Sequence, residues 1–144
     1  MNLVVYGNPK WRELIDHLRD DFLNDLGIVD LEEGKTVPRR GLVSEILRTF
    51  GIITPIPADP GEDLVILDRM LSERPLSRLA LLHFDLVPSR EDYDVNLFAT
   101  LRNLLMESRK LVLLAQSRTP FTALLPDGPL SDINIQTVEL RGSV

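Results

Sequence analysis

The sequence contains no cysteine, and this absence excludes several kinds of site. Without thiols the chain has no disulfide framework, no thiol nucleophile and no cysteine-ligated metal. Long apolar runs are also missing, since none approaches the roughly 20 residues of a membrane helix. The first residues lack the basic segment that opens a signal peptide. We therefore expect a cytoplasmic protein with no membrane contact.

Basic residues are fewer than acidic ones in this sequence. The chain carries 16 Lys and Arg against 22 Asp and Glu, which gives a net charge of −6. A dedicated nucleic-acid binder normally shows the opposite balance, so we expect no nucleic-acid partner. The acid excess is concentrated between Glu13 and Glu33. This pattern is typical of a solvated helix face, and the sharper interpretation is a docking face for a basic protein partner.

Short apolar runs alternate with amphipathic runs along all 144 residues. The predicted strands are Leu3–Tyr6, Gly27–Leu31, Leu79–Phe84, Leu111–Ala115 and Ile133–Leu140. The predicted helices are Lys10–Leu26, Leu42–Phe50, Glu62–Glu73 and Glu91–Arg109, with a helical turn near Phe121–Leu125. Nearly continuous apolar strands are typical of a parallel sheet buried on both faces. We predict a single domain over 1–144, an α/β three-layer sandwich with a mainly parallel five-stranded sheet.

The first predicted strand opens into a segment with the spacing of a phosphate-binding loop. That loop has the form G-x-x-x-x-G-K-[ST] between a strand and a helix. With Gly7 as its first glycine, the second glycine position holds Arg12. The lysine position holds Glu13 and the hydroxyl position Leu14. A carboxylate in a phosphate-binding loop repels phosphate. The sequence therefore predicts a loop at the usual position between strand and helix that lacks the residues needed to bind phosphate.

Two further strand ends carry polar residues. The third predicted strand ends at Asp85, as a Walker B strand ends in the Asp of the magnesium shell. The fourth runs into Gln116-Ser117-Arg118. Strand ends of a parallel sheet meet at one edge. We therefore expect Asp85, Ser117 and Arg118 near the Gly7 loop.

This order of motifs resembles the nucleotide-binding core of STAND-class (signal-transduction ATPase) P-loop NTPases. The likeness is best from Leu79 onward, through Leu-Val-Leu-Leu-Ala-x-Ser-Arg-Thr-Pro. The resemblance implies a P-loop NTPase-like fold in which Arg118 reaches toward nucleotide phosphates. It also implies that the helical lid of that class is missing, because the chain stops after its last core strand.

From the resemblance and the degenerate loop we expect a non-catalytic pseudo-NTPase, a protein-interaction or scaffolding module of bacterial signalling or defence. The expected protein contacts are Trp11, the one tryptophan, and Arg118. No cofactor is expected. If the fold still takes ATP or ADP with Mg²⁺, Gly7, Lys10, Arg12, Asp85, Ser117 and Arg118 would hold the nucleotide. Asp85 would then be the metal ligand.

Other patterns in the sequence bear on alternative functions. A nucleotide-binding regulatory domain could use Lys10, Arg12 and Arg118 against the amides of an atypical loop. A receiver-like domain would use Asp85 and Ser117 at the ends of the third and fourth strands, but the acidic pair after the first strand and a lysine in the last strand are missing. Gly34-Lys35-Thr36 contains the end of a phosphate loop without its first glycine. His83 is predicted to lie inside the third strand as a satisfied core histidine and His17 on a helix surface, so no hydrolase triad is indicated.

Overall fold

The computed structural model describes residues 2–7, 26–118 and 135–140, with side chains described for 26–118. The strands are β1 (Asn2–Gly7), β2 (Leu26–Asp30), β3 (Ser77–Leu82), β4 (Leu111–Ser117) and β5 (Ile135–Leu140). They form one sheet in the order β2-β3-β4-β1-β5. Every pairing in it is parallel. The predicted α/β fold with a parallel sheet is confirmed.

Three α-helices connect the strands in the described residues. They are α1 (Arg39–Thr49), α2 (Glu62–Ser72) and α3 (Val95–Arg102), and α3 continues into a π-helical turn at Asn103–Glu107. Short 3₁₀ helices occupy Gly34–Thr36 and Phe84–Ser89. The helix ends have identifiable causes: Gly51 takes a left-handed φ of +77° just beyond α1, and the Asp94 side chain accepts the Leu97 N–H at the start of α3.

The two faces of the sheet contribute to two different apolar clusters. Alternate strand residues such as Val29, Leu79 and Leu113 pack with the apolar stripes of α1, α2 and α3 in the larger cluster. On the opposite face Leu26, Ile28, Ala80, Leu82 and Leu114 form a smaller one. Period-two alternation with both faces buried explains why these strands appear as continuous apolar runs in the sequence. The described helices form one layer of the predicted sandwich.

Gly27 in β2 permits a close approach of α1. A Cβ at this position would lie 2.7 Å from Thr49 Cγ2 and 2.8 Å from the Phe50 ring. The Thr49 hydroxyl oxygen accepts the Ile28 N–H at 3.0 Å, so the end of α1 is bonded to the edge strand. A side chain at residue 27 would push these groups apart.

Several predicted boundaries were wrong. Leu26, assigned to the end of the first helix, begins β2, and the rest of that predicted helix lies outside the described residues, as does the turn near 121–125. The segment 32–40, which none of the predicted strands or helices covers, contains a 3₁₀ helix and the first residues of α1. The predicted helix over 91–109 begins only at Val95, because Asp94 is its N-cap.

The largest correction concerns the end of β3. The strand stops at Leu82, before His83 and Asp85, which were both assigned to the strand or its end. His83 has a left-handed backbone, with φ 59° and ψ 45°. Phe84 is buried because the 3₁₀ helix that follows directs it into the core. The apolar run therefore extends beyond the strand itself.

Candidate functional site

The carboxyl ends of the strands meet at one edge of the sheet, where parallel α/β folds place their ligands. Gly7 is the last residue of β1 and pairs with Leu140. Its neighbour Tyr6 pairs with Ser117, the final residue of β4. Ser117 was predicted just after the strand and is instead its last, buried residue. The backbone thus brings the ends of β1, β4 and β5 together at this edge.

A histidine stands at the centre of the neighbouring strand ends. His83 follows β3, and its side chain is only 6% exposed. Its Nδ1 lies 2.7 Å from Asp30 Oδ1, and its Nε2 lies 2.5 Å from Glu32 Oε1. Each ring nitrogen therefore faces a carboxylate. A neutral imidazole has one N–H and can donate to only one of these oxygens.

The local backbone explains why His83 points there. Its own N–H donates to Gln116 Oε1 at 2.9 Å, and its carbonyl accepts the Leu86 N–H at 3.0 Å. These bonds hold residue 83 in the left-handed region, which histidine enters more readily than most residues. The amide Nε2 of Gln116 is buried without a hydrogen-bond partner among the described residues.

The two carboxylates come from the end of β2. Asp30 is its last residue, and Asp30 Oδ1 also accepts the Glu32 N–H at 2.9 Å, an Asx-type turn. That turn sets Glu32, which is 53% exposed, beside the histidine. Sequence reasoning missed both residues, because it examined the ends of three strands and left out the second. Applying the strand-end rule to the predicted strand Gly27–Leu31 would have indicated them.

Arg118 and Asp85 complete the edge. The Asp85 carboxylate accepts the backbone N–H of Arg118 at 3.2 Å, so it ties the segment after β3 to the segment after β4. The Arg118 guanidinium lies 3.7 Å from Glu32 Oε1 and is 67% exposed. We call Asp30, Glu32, His83, Asp85 and Arg118 the strand-end network. Of the predicted site residues, Lys10, Trp11 and Arg12 lie outside the described part of the chain.

A second group of bonds fixes the loop that carries Glu32. The Arg90 guanidinium donates to the Leu31 carbonyl and, at 3.3 Å, to the Thr36 hydroxyl. The Tyr93 hydroxyl donates to the Thr36 carbonyl. Burial raises the pKa of this phenol, an effect that the nearby Arg90 charge partly offsets. The loop after β2 is therefore held against the segment after β3.

The Gly34-Lys35-Thr36 sequence is part of this support. Lys35 pairs with Glu33 at 3.1 Å and with Glu45 at 3.3 Å. The buried Thr36 hydroxyl donates to the Leu31 and Glu33 carbonyls. The ammonium and the hydroxyl are thus engaged locally, and the segment is a 3₁₀ helix rather than a phosphate cradle.

A separate ionic cluster joins the three helices. Arg39 Nε and Nη2 donate to the Asp63 carboxylate at 2.7 and 3.0 Å, and Arg39 Nη1 donates to Asp94 at 2.9 Å. Asp63 is only 2% exposed. The bond to Asp63 raises the pKa of Arg39. Burial acts to raise the pKa of Asp94, but the Leu97 N–H and Arg39 outweigh it, so that pKa lies below its ordinary value. We call these three residues the helix brace.

In the part of the chain that the structure describes, no helix has both the length and the apolar content to cross a membrane. The cytoplasmic location stays a prediction.

Comparison with known proteins gives a likeness in structure alone. No protein-family model and no curated protein sequence matches the chain. A chain from the structure of Drosophila ORC bound to DNA superposes with a TM-score of 0.67 at 17% identity, covering 99% of this chain and 81% of that one. The ADP form of the Aeropyrum pernix ORC2 protein gives 0.68 at 15% identity, covering 97% and 42%. A chain from Drosophila ORC bound to GC-rich DNA and Cdc6 gives 0.64 at 21%.

These neighbours show the fold. The chain spans slightly under half of the Aeropyrum pernix chain and of the Drosophila chain from the complex with Cdc6. The likeness to chains of ORC structures is consistent with the predicted P-loop NTPase-like fold, while the STAND class and the degenerate loop stay predictions. The expectation of no nucleic-acid partner is contradicted, because structures of ORC bound to DNA are among the neighbours. Net charge describes the whole chain and not one surface, so it does not decide this question. The comparisons therefore support an α/β domain of P-loop NTPase-like fold.

Proposed function

We propose that this chain is a pseudo-NTPase, a P-loop NTPase-like domain of STAND-like type that acts by binding and scaffolding without hydrolysing nucleotide. The proposal includes a degenerate phosphate loop, in which Glu13 stands where a lysine would bind phosphate. A place in bacterial signalling or defence is part of the same hypothesis.

The proposal rests on the contacts made by the residues that follow β3. A magnesium-dependent NTPase of this fold needs a carboxylate at that strand end, available to the metal shell. Here the residue directly after the strand is His83, which is engaged by Asp30 and Glu32. The next carboxylate, Asp85, lies within a 3₁₀ helix and accepts the Arg118 N–H. Because other protein groups engage both His83 and Asp85, these contacts favour a binding role over nucleotide hydrolysis.

Calorimetric titration with ATP and ADP, with and without Mg²⁺, tests this proposal together with a phosphate-release assay. We expect no phosphate release above the buffer background and no binding that depends jointly on Mg²⁺ and Asp85. The variant Asp85→Ala should change the thermal midpoint but not a nucleotide response, with the exposed Asp59→Ala as matched control. Tight, Mg²⁺-dependent ATP binding that Asp85→Ala abolishes and Asp59→Ala preserves would overturn the proposal.

Nucleotide binding without hydrolysis is the nearest alternative. In it Lys10, Arg12 and Arg118 hold the phosphates against the amides that follow Gly7. Arg118 supports this reading, because its guanidinium is exposed at the strand-end edge. Binding of ADP that Arg118→Gln weakens about tenfold would favour this alternative. Absence of binding by ATP, ADP, GTP and GDP up to millimolar concentration would end it.

A second candidate function is contact with DNA, which the neighbouring ORC structures favour. In the described residues, Arg109 and Lys110 form a basic turn at the opposite, amino-terminal edge of the sheet, directly before β4. Arg109 is exposed. Fluorescence anisotropy with a duplex at low salt should show binding that weakens as salt rises. The pair Arg109→Gln and Lys110→Gln should weaken it, the exposed Arg48→Gln should not, and absence of binding at low salt would reject this candidate.

A further inference from the structure

We propose that His83 and Glu32 form a binding site for a divalent transition-metal cation, of which Zn²⁺ is the natural probe. His83 Nε2 and the Glu32 carboxylate would be the ligands, and Asp30 would hold the imidazole in place. The site differs from the magnesium position at Asp85, and it stands whether or not the chain binds nucleotide.

The first argument is the number of protons that the contacts require. Both ring nitrogens of His83 lie within hydrogen-bond distance of a carboxylate oxygen. In a neutral ring one nitrogen keeps a lone pair, which repels the carboxylate that faces it unless a second proton or a cation lies between them. A metal cation between Nε2 and Glu32 meets this need, because it accepts electron pairs from both.

Asp30 gives the second argument. Histidine ligands commonly donate their other N–H to a carboxylate, which fixes the tautomer and the ring orientation. Asp30 Oδ1 lies 2.7 Å from His83 Nδ1, and the Glu32 N–H holds the same oxygen in place. With the Nδ1 proton committed to Asp30, Nε2 presents its lone pair toward Glu32.

The distances allow a metal ion after one small movement. One ligand atom from each of Asp30, Glu32 and His83 falls within a group no wider than 4.8 Å. Tetrahedral Zn²⁺ with bonds near 2.0–2.1 Å keeps its ligand atoms about 3.3 Å apart. Glu32 Oε1 must therefore withdraw from its present 2.5 Å, which an exposed side chain with three rotatable bonds does readily. Water would complete the coordination.

Charge and donor type narrow the class of cation. Among the described residues, Asp30, Glu32 and Asp85 bring three carboxylates to this edge, where Arg118 approaches Glu32 and Arg90 is engaged by the Leu31 carbonyl. A divalent ion fits that balance. The imidazole nitrogen favours Zn²⁺, Ni²⁺ or Cu²⁺ over Mg²⁺ and Ca²⁺, which take oxygen ligands. Because Arg118 approaches the same Glu32 oxygen, it should compete with the metal.

The composition of the chain limits the number of side chains that could compete for the metal. There is no cysteine, and the two histidines are His17 and His83. Calorimetric titration of the chelator-treated protein with Zn²⁺ should show one site that Mg²⁺ in large excess does not displace. His83→Gln should abolish it and Glu32→Gln should weaken it more than tenfold. Asp30→Asn should weaken it roughly tenfold, since it acts through the ring. Arg118→Gln should tighten binding.

Matched controls separate the site from general acidity. Glu33→Gln removes an equally exposed neighbouring carboxylate and should leave Zn²⁺ binding unchanged, as should His17→Gln. Circular dichroism of Glu32→Gln shows whether the fold is intact, so the test does not depend on a folded His83 variant. Absence of Zn²⁺ binding up to 100-fold excess, loss of binding in His17→Gln alone, or Glu32→Gln binding as the unchanged chain does, would each overturn the proposal.

Discussion

The helix brace and the strand-end network both join acidic side chains to basic ones, but they differ in geometry. In the brace, one guanidinium meets a nearly inaccessible carboxylate through two parallel bonds and reaches a second carboxylate besides. In the strand-end network, a buried imidazole lies between two carboxylates that are 25% and 53% exposed. In the brace, three guanidinium N–H groups each donate to a carboxylate oxygen, whereas in the strand-end network two carboxylates face the two nitrogens of one imidazole. The first arrangement is typical of a structural brace, and the second presents ligand atoms that a cation can bridge.

The largest effect should come from breaking the brace. Arg39→Met leaves the Asp63 carboxylate buried without its counter-charge, which should lower the free energy of unfolding by about 3 kcal/mol. Urea unfolding measures this change. Arg39→Met combined with Asp63→Leu should recover much of the loss, because the uncompensated charge is gone. The exposed Arg48→Met on the same helix is the control. A loss below about 1 kcal/mol in Arg39→Met would mean that the pair is not structural.

An intermediate effect is expected at His83, where the backbone and not the side-chain charge decides the outcome. Asparagine tolerates the left-handed conformation, so His83→Asn should cost about 1 kcal/mol for the lost hydrogen bonds. A β-branched residue does not tolerate it, and His83→Val should cost a further 1–2 kcal/mol or so. Urea unfolding with chelator present compares the two variants without any contribution from metal. Equal stability of the two would contradict a left-handed residue 83.

The smallest effect is the pH dependence of the brace. Because the pKa of Asp94 is lowered in the folded chain from its ordinary 3.8, the unfolded chain takes up the proton first as pH falls. The contribution of Asp94 is complete above that ordinary value and is lost as pH falls through the lower folded one. Asp94→Asn keeps the N-cap acceptor but not the charge. The free energy of unfolding that the chain loses below about pH 4 should therefore be smaller in the variant by about 0.5 kcal/mol. An unchanged pH profile in the variant would contradict this assignment, and the exposed Asp59→Asn is the control.

The sequence predicted β2, β3 and β4 because each contains an apolar run, and burial of both faces leaves that signature in the amino acids themselves. It predicted the extent of β3 poorly, since Phe84 is as buried as any strand residue while belonging to the next turn. Nothing local distinguishes these cases. The turn is set by Gln116, which receives the His83 N–H from 33 residues away.

The sequence likewise indicated some residues of the candidate site and not others. Arg118 and Asp85 were indicated by their positions after predicted strands, and the structure places them in contact. Asp30 and Glu32 were overlooked, because an acidic stretch after a strand resembles an ordinary solvated surface in the sequence. Their meaning depends on His83, which lies 53 residues from Asp30 in the chain. A pairing across that separation is visible only when the fold is known.

The position of β1 in the sheet has a consequence for how the chain is made. The first strand lies between β4 and β5, and its pairing of Leu3 with Leu114 joins residues more than 100 positions apart. The ribosome synthesises β1 before the other strands of this sheet, yet both of its partners follow β3 in the chain. Strands β2, β3 and β4 are neighbours in sequence order and can assemble earlier. Pairing of β1 with β4 and β5 therefore completes the sheet last. Until it does, the unpaired backbone of β1 is open to pairing with other chains.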